Sequence, residues 1–109
     1  MPLNLPAPIA AYITAENEDD GAAVADCFAE NAIVRDEGRT MVGLAAIQQW
    51  KRETKQKYHH TIAPLASVQK DGKTIVTSRL TGDFPGGSVD LQFIFEIASD
   101  RIISLEIRP

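Results

Sequence analysis

The chain has 109 residues, of which 44% are hydrophobic and 24% are charged, and its formal net charge is −4. These values predict one globular domain and argue against a nucleic-acid-binding protein, which would normally carry a basic face. The single cysteine, Cys27, excludes an internal disulfide, and no apolar run approaches the length that spans a membrane.

The N-terminal segment lacks the basic stretch that precedes the apolar part of a signal peptide. We therefore expect a cytoplasmic protein that contacts neither a membrane nor nucleic acid.

The first helix is predicted over residues 6–18, because Ile9, Tyr12, Ile13 and Glu16 fall on one side at helical spacing. Three of these four side chains are apolar, so this side is predicted to face the core.

A second helix is predicted over residues 21–30, followed by a short apolar strand over residues 32–36. Side chains alternate along a strand, so Asp36 shares a face with the apolar Val34. A carboxylate on such a face either turns back to solvent or lines a pocket. In a pocket, desolvation raises its pKa and makes it a candidate base.

The next segment is predicted to contain a turn at residues 37–39, a second short strand at residues 40–42, and a third helix at residues 44–57. Trp50 lies on the apolar side of this helix. It is predicted to pack the helix onto the sheet and is a candidate for one wall of a ligand pocket, because wide aromatic side chains often line such sites.

The second half of the chain is predicted to form four long antiparallel strands, with Asp71-Gly72 as a hairpin turn. They cover residues 58–69, 73–84, 88–98 and 101–108. Their apolar face, which includes Leu91 and Phe93, is predicted to cover the helices, whereas the other face is mixed. Helices followed by strands in this order predict an α+β fold.

His59 and His60 are adjacent in a predicted strand, so only one of them can face inward. The apolar neighbours favour His60, unless Pro64 introduces a bulge that resets the alternation. We predict no metal site, because adjacent histidines point to opposite faces and no cysteine or acid at ligand spacing joins them.

The order of these elements resembles the nuclear transport factor 2-like superfamily, and within it the SnoaL-like group of polyketide cyclases and ketosteroid isomerases. The resemblance spans nearly the whole chain and depends on the order and spacing of several segments. They are Phe28 with residues 31–36, then residues 43–47, 81–87, 91–95 and 102–107. It implies a single SnoaL-like domain over residues 1–109. The implied fold is a cystatin-like roll, in which a cone-shaped antiparallel sheet wraps around three N-terminal helices and leaves an apolar pocket at its open end.

The resemblance also implies roles for individual residues. Tyr12 matches the tyrosine that donates to the substrate oxygen in ketosteroid isomerases, and Asp36 matches the aspartate that moves the proton. The chain departs from the pattern at Leu91, which stands where the isomerases carry a second, protonated acid. Half of the oxyanion site is therefore missing, and His60 is a candidate for part of the missing donor's role.

We predict from this that the protein binds a small, largely apolar molecule and needs no cofactor, with isomerase- or cyclase-type proton transfer by Asp36. Tyr12 is its predicted partner, and the predicted ligand contacts are Trp50, His60, Leu91 and Phe93. The resemblance further implies a homodimer formed through the outer face of the sheet. The alternative is a non-catalytic dimeric interaction module with a filled or vestigial pocket. A cavity of about 300 Å³ or more would favour ligand binding over this alternative.

Overall fold

The protein has three helices in its first part and long strands in its second, as the sequence predicts. The helices α1, α2 and α3 cover Ala7–Asn17, Gly21–Asp26 and Leu44–Tyr58. The strands β1 to β6 cover Phe28–Asp36, Arg39–Val42, Thr61–Lys70, Lys73–Thr81, Ser88–Ala98 and Arg101–Arg108. The structure is a computed structural model that describes residues 3–109. Met1 and Pro2, which begin the segment predicted to carry no signal peptide, lie outside the described residues.

The six strands form one sheet in the order β2-β1-β6-β5-β4-β3. The strands from β3 to β6 are consecutive antiparallel neighbours, and β1 joins them by pairing parallel to β6. The predicted α+β fold is confirmed, with this one parallel pair in an otherwise antiparallel sheet. Among residues 3–109, no helix is both long enough and apolar enough to cross a membrane.

The second helix ends earlier than predicted. It stops at Asp26, and the residues predicted as its last turn belong to β1, which begins at Phe28. The reason is pairing with a distant strand: Phe28 is opposite Ile102 in the register of β1 and β6, and the Ile102 N–H donates to the Cys27 carbonyl at 2.8 Å. These tertiary contacts outweigh the weak local preference for helix.

Two strand boundaries near the histidines also differ from the prediction. Tyr58 belongs to α3, and His59 ends that helix in the left-handed conformation, with φ of 49°. The strand β3 therefore begins only at Thr61. A register shift after Pro64 then resets the alternation, so Ile62 is buried but Val68 is 55% exposed. The predicted effect of Pro64 is thus observed.

The core lies between the helices and the inner face of the sheet. Tyr12 of α1 packs edge-to-face against Phe28 and Phe95, with ring centroids 5.6 Å and 5.9 Å apart. Such aromatic pairs add about 0.5–1.5 kcal/mol to the effect of burial. Asn17 connects the end of α1 to β3, because its side chain exchanges two hydrogen bonds with the Ile62 backbone, at 2.9 Å and 2.6 Å. These contacts hold one side of α1 over the end of the sheet.

Gly82 allows the chain after β4 to approach the end of α3 closely. A Cβ at this position would lie 2.5 Å from the Tyr58 carbonyl oxygen and 2.9 Å from the His60 Cα. We expect Gly82→Ala to lower the free energy of unfolding by about 1–3 kcal/mol, because the backbone must move to relieve this clash. Urea denaturation measures the change. Gly21→Ala is the matched control, since nothing lies within 4 Å of its added Cβ; an equal loss in both variants would contradict the prediction.

Candidate ligand-binding site

A cavity of about 330 Å³ opens between α1, α3 and the inner face of the sheet. All six residues predicted as site residues line it, namely Tyr12, Asp36, Trp50, His60, Leu91 and Phe93. The other lining includes the apolar Ile62, Leu80, Phe84, Ile107 and Pro109 and the charged Glu16, Glu37 and Arg108. The sequence therefore identified side chains that the fold brings together, although their functional roles remain predictions.

Asp36 lies at the end of β1, half-buried at the cavity wall. The Trp50 indole Nε1 donates a hydrogen bond to its Oδ2 at 3.0 Å, which orients the carboxyl group. Burial raises the pKa of Asp36, and the Trp50 hydrogen bond opposes this by stabilising the carboxylate. A carboxylate with a raised pKa is a better base than one in water, so the geometry is compatible with proton transfer.

Tyr12 is 1% exposed, and its hydroxyl lies near two acids. Burial is the main reason why its pKa lies well above the usual value, and the neighbouring Glu16 and the more distant Asp36 raise it further. The phenol therefore keeps its proton over the whole physiological range. It can therefore act as a hydrogen-bond donor, and the Glu16 carboxyl is one acceptor within its reach.

Glu16 is a cavity-lining residue to which sequence reasoning assigned no role. It is 1% exposed, and among residues 3–109 its Oε1 has no hydrogen-bond partner. Burial raises the pKa of its carboxyl group, while Lys51 and Lys55 act in the opposite direction. The available signal was its position one turn after Tyr12 on the apolar side of the first helix.

Of the two adjacent histidines, His60 is the buried one, with 6% exposure. Its Nε2 lies 4.0 Å from Glu16 Oε1, and its backbone carbonyl accepts from Lys55 Nζ at 2.5 Å. Burial lowers the pKa of His60 to about 4, with help from the positive charges of Lys55 and Lys51. The imidazole is therefore neutral at pH 7. His59 is exposed and contacts Asp83, with Nδ1 and Oδ2 2.8 Å apart.

An aromatic pair forms part of the cavity lining. The rings of Tyr58 and Phe84 stack with centroids 4.6 Å apart, and the Tyr58 hydroxyl donates to Glu37 at 3.2 Å. The Asp83 N–H donates to the Tyr58 carbonyl at 2.7 Å, which holds the segment after β4 against α3. This pair adds an apolar surface beside the polar end of β1.

Leu91 presents an aliphatic side chain to the cavity, so no acid stands at this position of β5. Its neighbour Asp90 points to the opposite face, where it accepts from Arg79 at 2.8 Å. Within residues 3–109, no three histidine, cysteine or acidic side chains are grouped as a metal site would require. The polar side chains that line the cavity include the carboxyls of the buried Glu16 and the half-buried Asp36, the Tyr12 phenol and the His60 imidazole, together with Glu37, Thr54, Tyr58 and Arg108.

A curved sheet wrapped around helices, with an apolar cavity at one end, defines the ketosteroid isomerase-like fold. The chain belongs to the SnoaL-like domain family, which matches residues 9–105. The resemblance stated from the sequence is therefore confirmed. No curated protein sequence gives a significant match.

Solved structures agree with this assignment. The chain is 35% identical to a "putative polyketide cyclase (protein SMa1630)" from Sinorhizobium meliloti, with 95% of each chain covered and a TM-score of 0.91. A protein from Catenulispora acidiphila with a ketosteroid isomerase-like fold, solved in complex with trimethylamine, is 18% identical with a TM-score of 0.86. That comparison covers 97% of this chain and 87% of the other chain, and at this identity it shows the fold alone.

Proposed function

We propose that the protein binds a small, largely apolar molecule in the cavity and that Asp36 transfers a proton on it. The observation that carries this proposal is the cavity itself. Its volume of about 330 Å³ exceeds the lower bound of about 300 Å³ for ligand pockets, and a few polar groups converge on a mainly apolar wall. The alternative, a non-catalytic interaction module with a filled or vestigial pocket, is less well supported by an open cavity of this volume.

The proposed reaction begins when the Asp36 carboxylate takes a proton from a carbon next to a ligand carbonyl. The C–H electron pair then forms the carbon–carbon double bond of an enolate, whose oxygen accepts a hydrogen bond from Tyr12. In an isomerase, Asp36 returns the proton to a different carbon. In a cyclase, the enolate carbon attacks a second carbonyl of the same molecule and forms a ring bond, and the new alkoxide takes the proton back from the protonated Asp36. The 35% identity to a protein described as a "putative polyketide cyclase" supports the second version.

The surroundings of Asp36 support its role as the base. Trp50 holds one carboxylate oxygen at 3.0 Å, and burial raises the pKa toward the range in which a carboxylate removes weakly acidic protons. Leu91 supplies no hydrogen bond where the isomerases carry a second donor, so Tyr12 is the main donor to the enolate in this proposal. One positioned acid–base group contributes about 10²–10⁴-fold, which sets the expected scale of the reaction.

The outer-face homodimer also remains a proposal. Three apolar side chains are cross-strand neighbours there: Val68 of β3 faces Ile75 of β4, which faces Ile94 of β5. Residues opposite each other in a sheet share a face, so they form a continuous apolar row, in which Val68 is 55% exposed and Ile94 only 7%. This row supports a contact between two copies of the chain and is compatible with ligand binding on the other face.

Binding in the cavity is tested with 2-tetralone, a two-ring ketone without charged groups. We expect its addition to shift the NMR signals of the Trp50 indole and of Tyr12. In Leu91→Trp the larger side chain fills the cavity, and losing about 1.5–3 kcal/mol of apolar contact should weaken binding about tenfold or more.

The matched control for this enlargement is Val42→Phe, because Val42 is 60% exposed and lies outside the cavity lining. We expect that variant to bind 2-tetralone as the wild type does. Equal affinity in Leu91→Trp and wild type would show that the ketone binds elsewhere. Absence of binding to the wild type would contradict the proposal for this class of ligand.

A further inference from the structure

The most unusual polar feature of the cavity is a pair of buried side chains, Glu16 on α1 and His60 immediately before β3. Their exposed fractions are 1% and 6%, and both line the cavity. Within residues 3–109, Glu16 Oε1 and His60 Nδ1 have no hydrogen-bond partner. Buried polar groups are almost always paired, so the unpaired Glu16 Oε1 requires an explanation. The unpaired His60 atom is Nδ1, whereas Nε2 is the ring nitrogen that lies near Glu16.

The distance between the two side chains indicates what kind of group fits them. Glu16 Oε1 and His60 Nε2 are 4.0 Å apart, which is too far for a direct hydrogen bond. One oxygen atom at about 2.8 Å from each would bridge them once a small side-chain shift exposes the buried Oε1. That oxygen must interact with a carboxyl oxygen on one side and an imidazole nitrogen on the other.

We propose that Glu16 and His60 together bind a hydroxyl group of the ligand, an alcohol or a phenol, between Oε1 and Nε2. A hydroxyl donates one hydrogen bond and accepts others, so it can donate to the carboxylate and accept from an Nε2–H. A ketone or ether oxygen only accepts and matches one of the two groups. This inference rests on the proposed function, since it requires the ligand to occupy the cavity.

The surrounding charges favour a neutral hydroxyl over an ammonium group. Lys51 and Lys55 both act on the Glu16 carboxyl and on the His60 imidazole, so two positive charges already lie near the pair. The Lys51 ammonium also forms an ion pair with Asp19. A third cation would be repelled by the two lysines.

The position of the pair also defines the ligand more closely. Glu16 and Asp36 both raise the pKa of the Tyr12 hydroxyl. This hydroxyl therefore lies near both the Glu16–His60 pair and the proposed base, Asp36. A substrate that uses both ends carries a carbonyl near Asp36 and a hydroxyl near Glu16 and His60. The inferred class is therefore a small ring compound with both groups.

The test compares three probes of similar size, namely 2-naphthol, 2-methoxynaphthalene and naphthalene, by NMR titration of the full chain. We expect the wild type to bind 2-naphthol about tenfold more tightly than 2-methoxynaphthalene, as one or two hydrogen bonds would produce. Glu16→Leu and His60→Phe should each reduce this ratio to near one. Asp36→Leu, a matched removal of a carboxyl at the other end, should retain it.

A second readout in the wild type does not depend on the folding of any variant. The nitrogen-15 shifts of the His60 ring should change on addition of 2-naphthol and stay nearly constant with naphthalene. Equal affinities for 2-naphthol and 2-methoxynaphthalene, or a ratio lost only in Asp36→Leu, would overturn the hydroxyl site and leave cavity binding intact. If none of the three probes binds, the proposed function fails and the hydroxyl site fails with it.

Discussion

Asp36→Asn is expected to slow hydrogen–deuterium exchange at the activated methylene of 2-tetralone by about 10²–10⁴-fold relative to the wild-type protein. Asparagine has nearly the same shape as aspartate and keeps a side-chain oxygen. The 3.0 Å hydrogen bond from the Trp50 indole can therefore be preserved. It lacks the basicity that burial confers on the carboxylate. Proton NMR in deuterium oxide, with the protein saturated by the ketone, measures the exchange rate.

Asp83→Asn is the matched control for this substitution. Asp83 is an exposed acid that contacts His59 and lies outside the cavity lining, so its change should leave the exchange rate as in the wild type. If Asp36→Asn binds 2-tetralone and exchanges its protons at the wild-type rate, Asp36 is not the base. The protein would then be a binding protein without this proton transfer.

The wild-type exchange rate should also fall as the pH is lowered through the pKa of Asp36. The base is the ionised form, and burial raises this pKa above the usual value of an aspartate. The decline is therefore expected to begin at a higher pH than for an exposed aspartate.

The second large effect concerns stability, because a buried histidine should make the fold sensitive to acid. The pKa of His60 is about 4 in the folded protein, compared with 6.5 for an unperturbed histidine. Between these values the unfolded chain binds the proton more readily than the folded protein. The contribution of His60 is therefore fully present above pH 6.5 and is lost as the pH falls toward about 4, by about 3 kcal/mol in all.

We expect this loss to be absent in His60→Phe. Chemical denaturation between pH 7 and about 4 gives the free energy of unfolding for both proteins, with the range set by the pKa of His60. The raised pKa values of Glu16 and Asp36 act in the opposite direction, because the folded protein takes up those protons more readily. Both proteins retain these acids, so the difference between them reports mainly on His60. The same pH dependence in both would show that His60 does not titrate as a buried group.

Two residues of the candidate site, Tyr12 and Asp36, were correctly placed on inward faces by local sequence patterns. Helical spacing placed Tyr12 on the inner side of α1, and strand alternation placed Asp36 with Val34 rather than with Arg35. Both residues line the cavity. These predictions succeeded because the period of a helix or strand depends only on neighbouring residues.

Other features depended on contacts that no local pattern contains. Residues 28–30 were predicted as the end of a helix but form the start of β1, because β1 pairs with β6, which lies far along the chain. That His60 is buried rather than His59 accompanies the left-handed conformation of His59 at the end of α3, and the exposure of Val68 follows from the bulge after Pro64. Both are consequences of how β3 joins the sheet.

The sequence by itself determined the class of fold, the apolar faces of its helices and strands, and the position of one candidate base, since these follow from periodicity and from the family pattern. Only the tertiary structure decided that Glu16 is buried opposite His60. Asn17 brings these two together by bonding the Ile62 backbone, 45 residues away. The burial and the hydrogen-bond partners of a polar side chain depend on which distant element packs against it. That packing exists only in the folded chain.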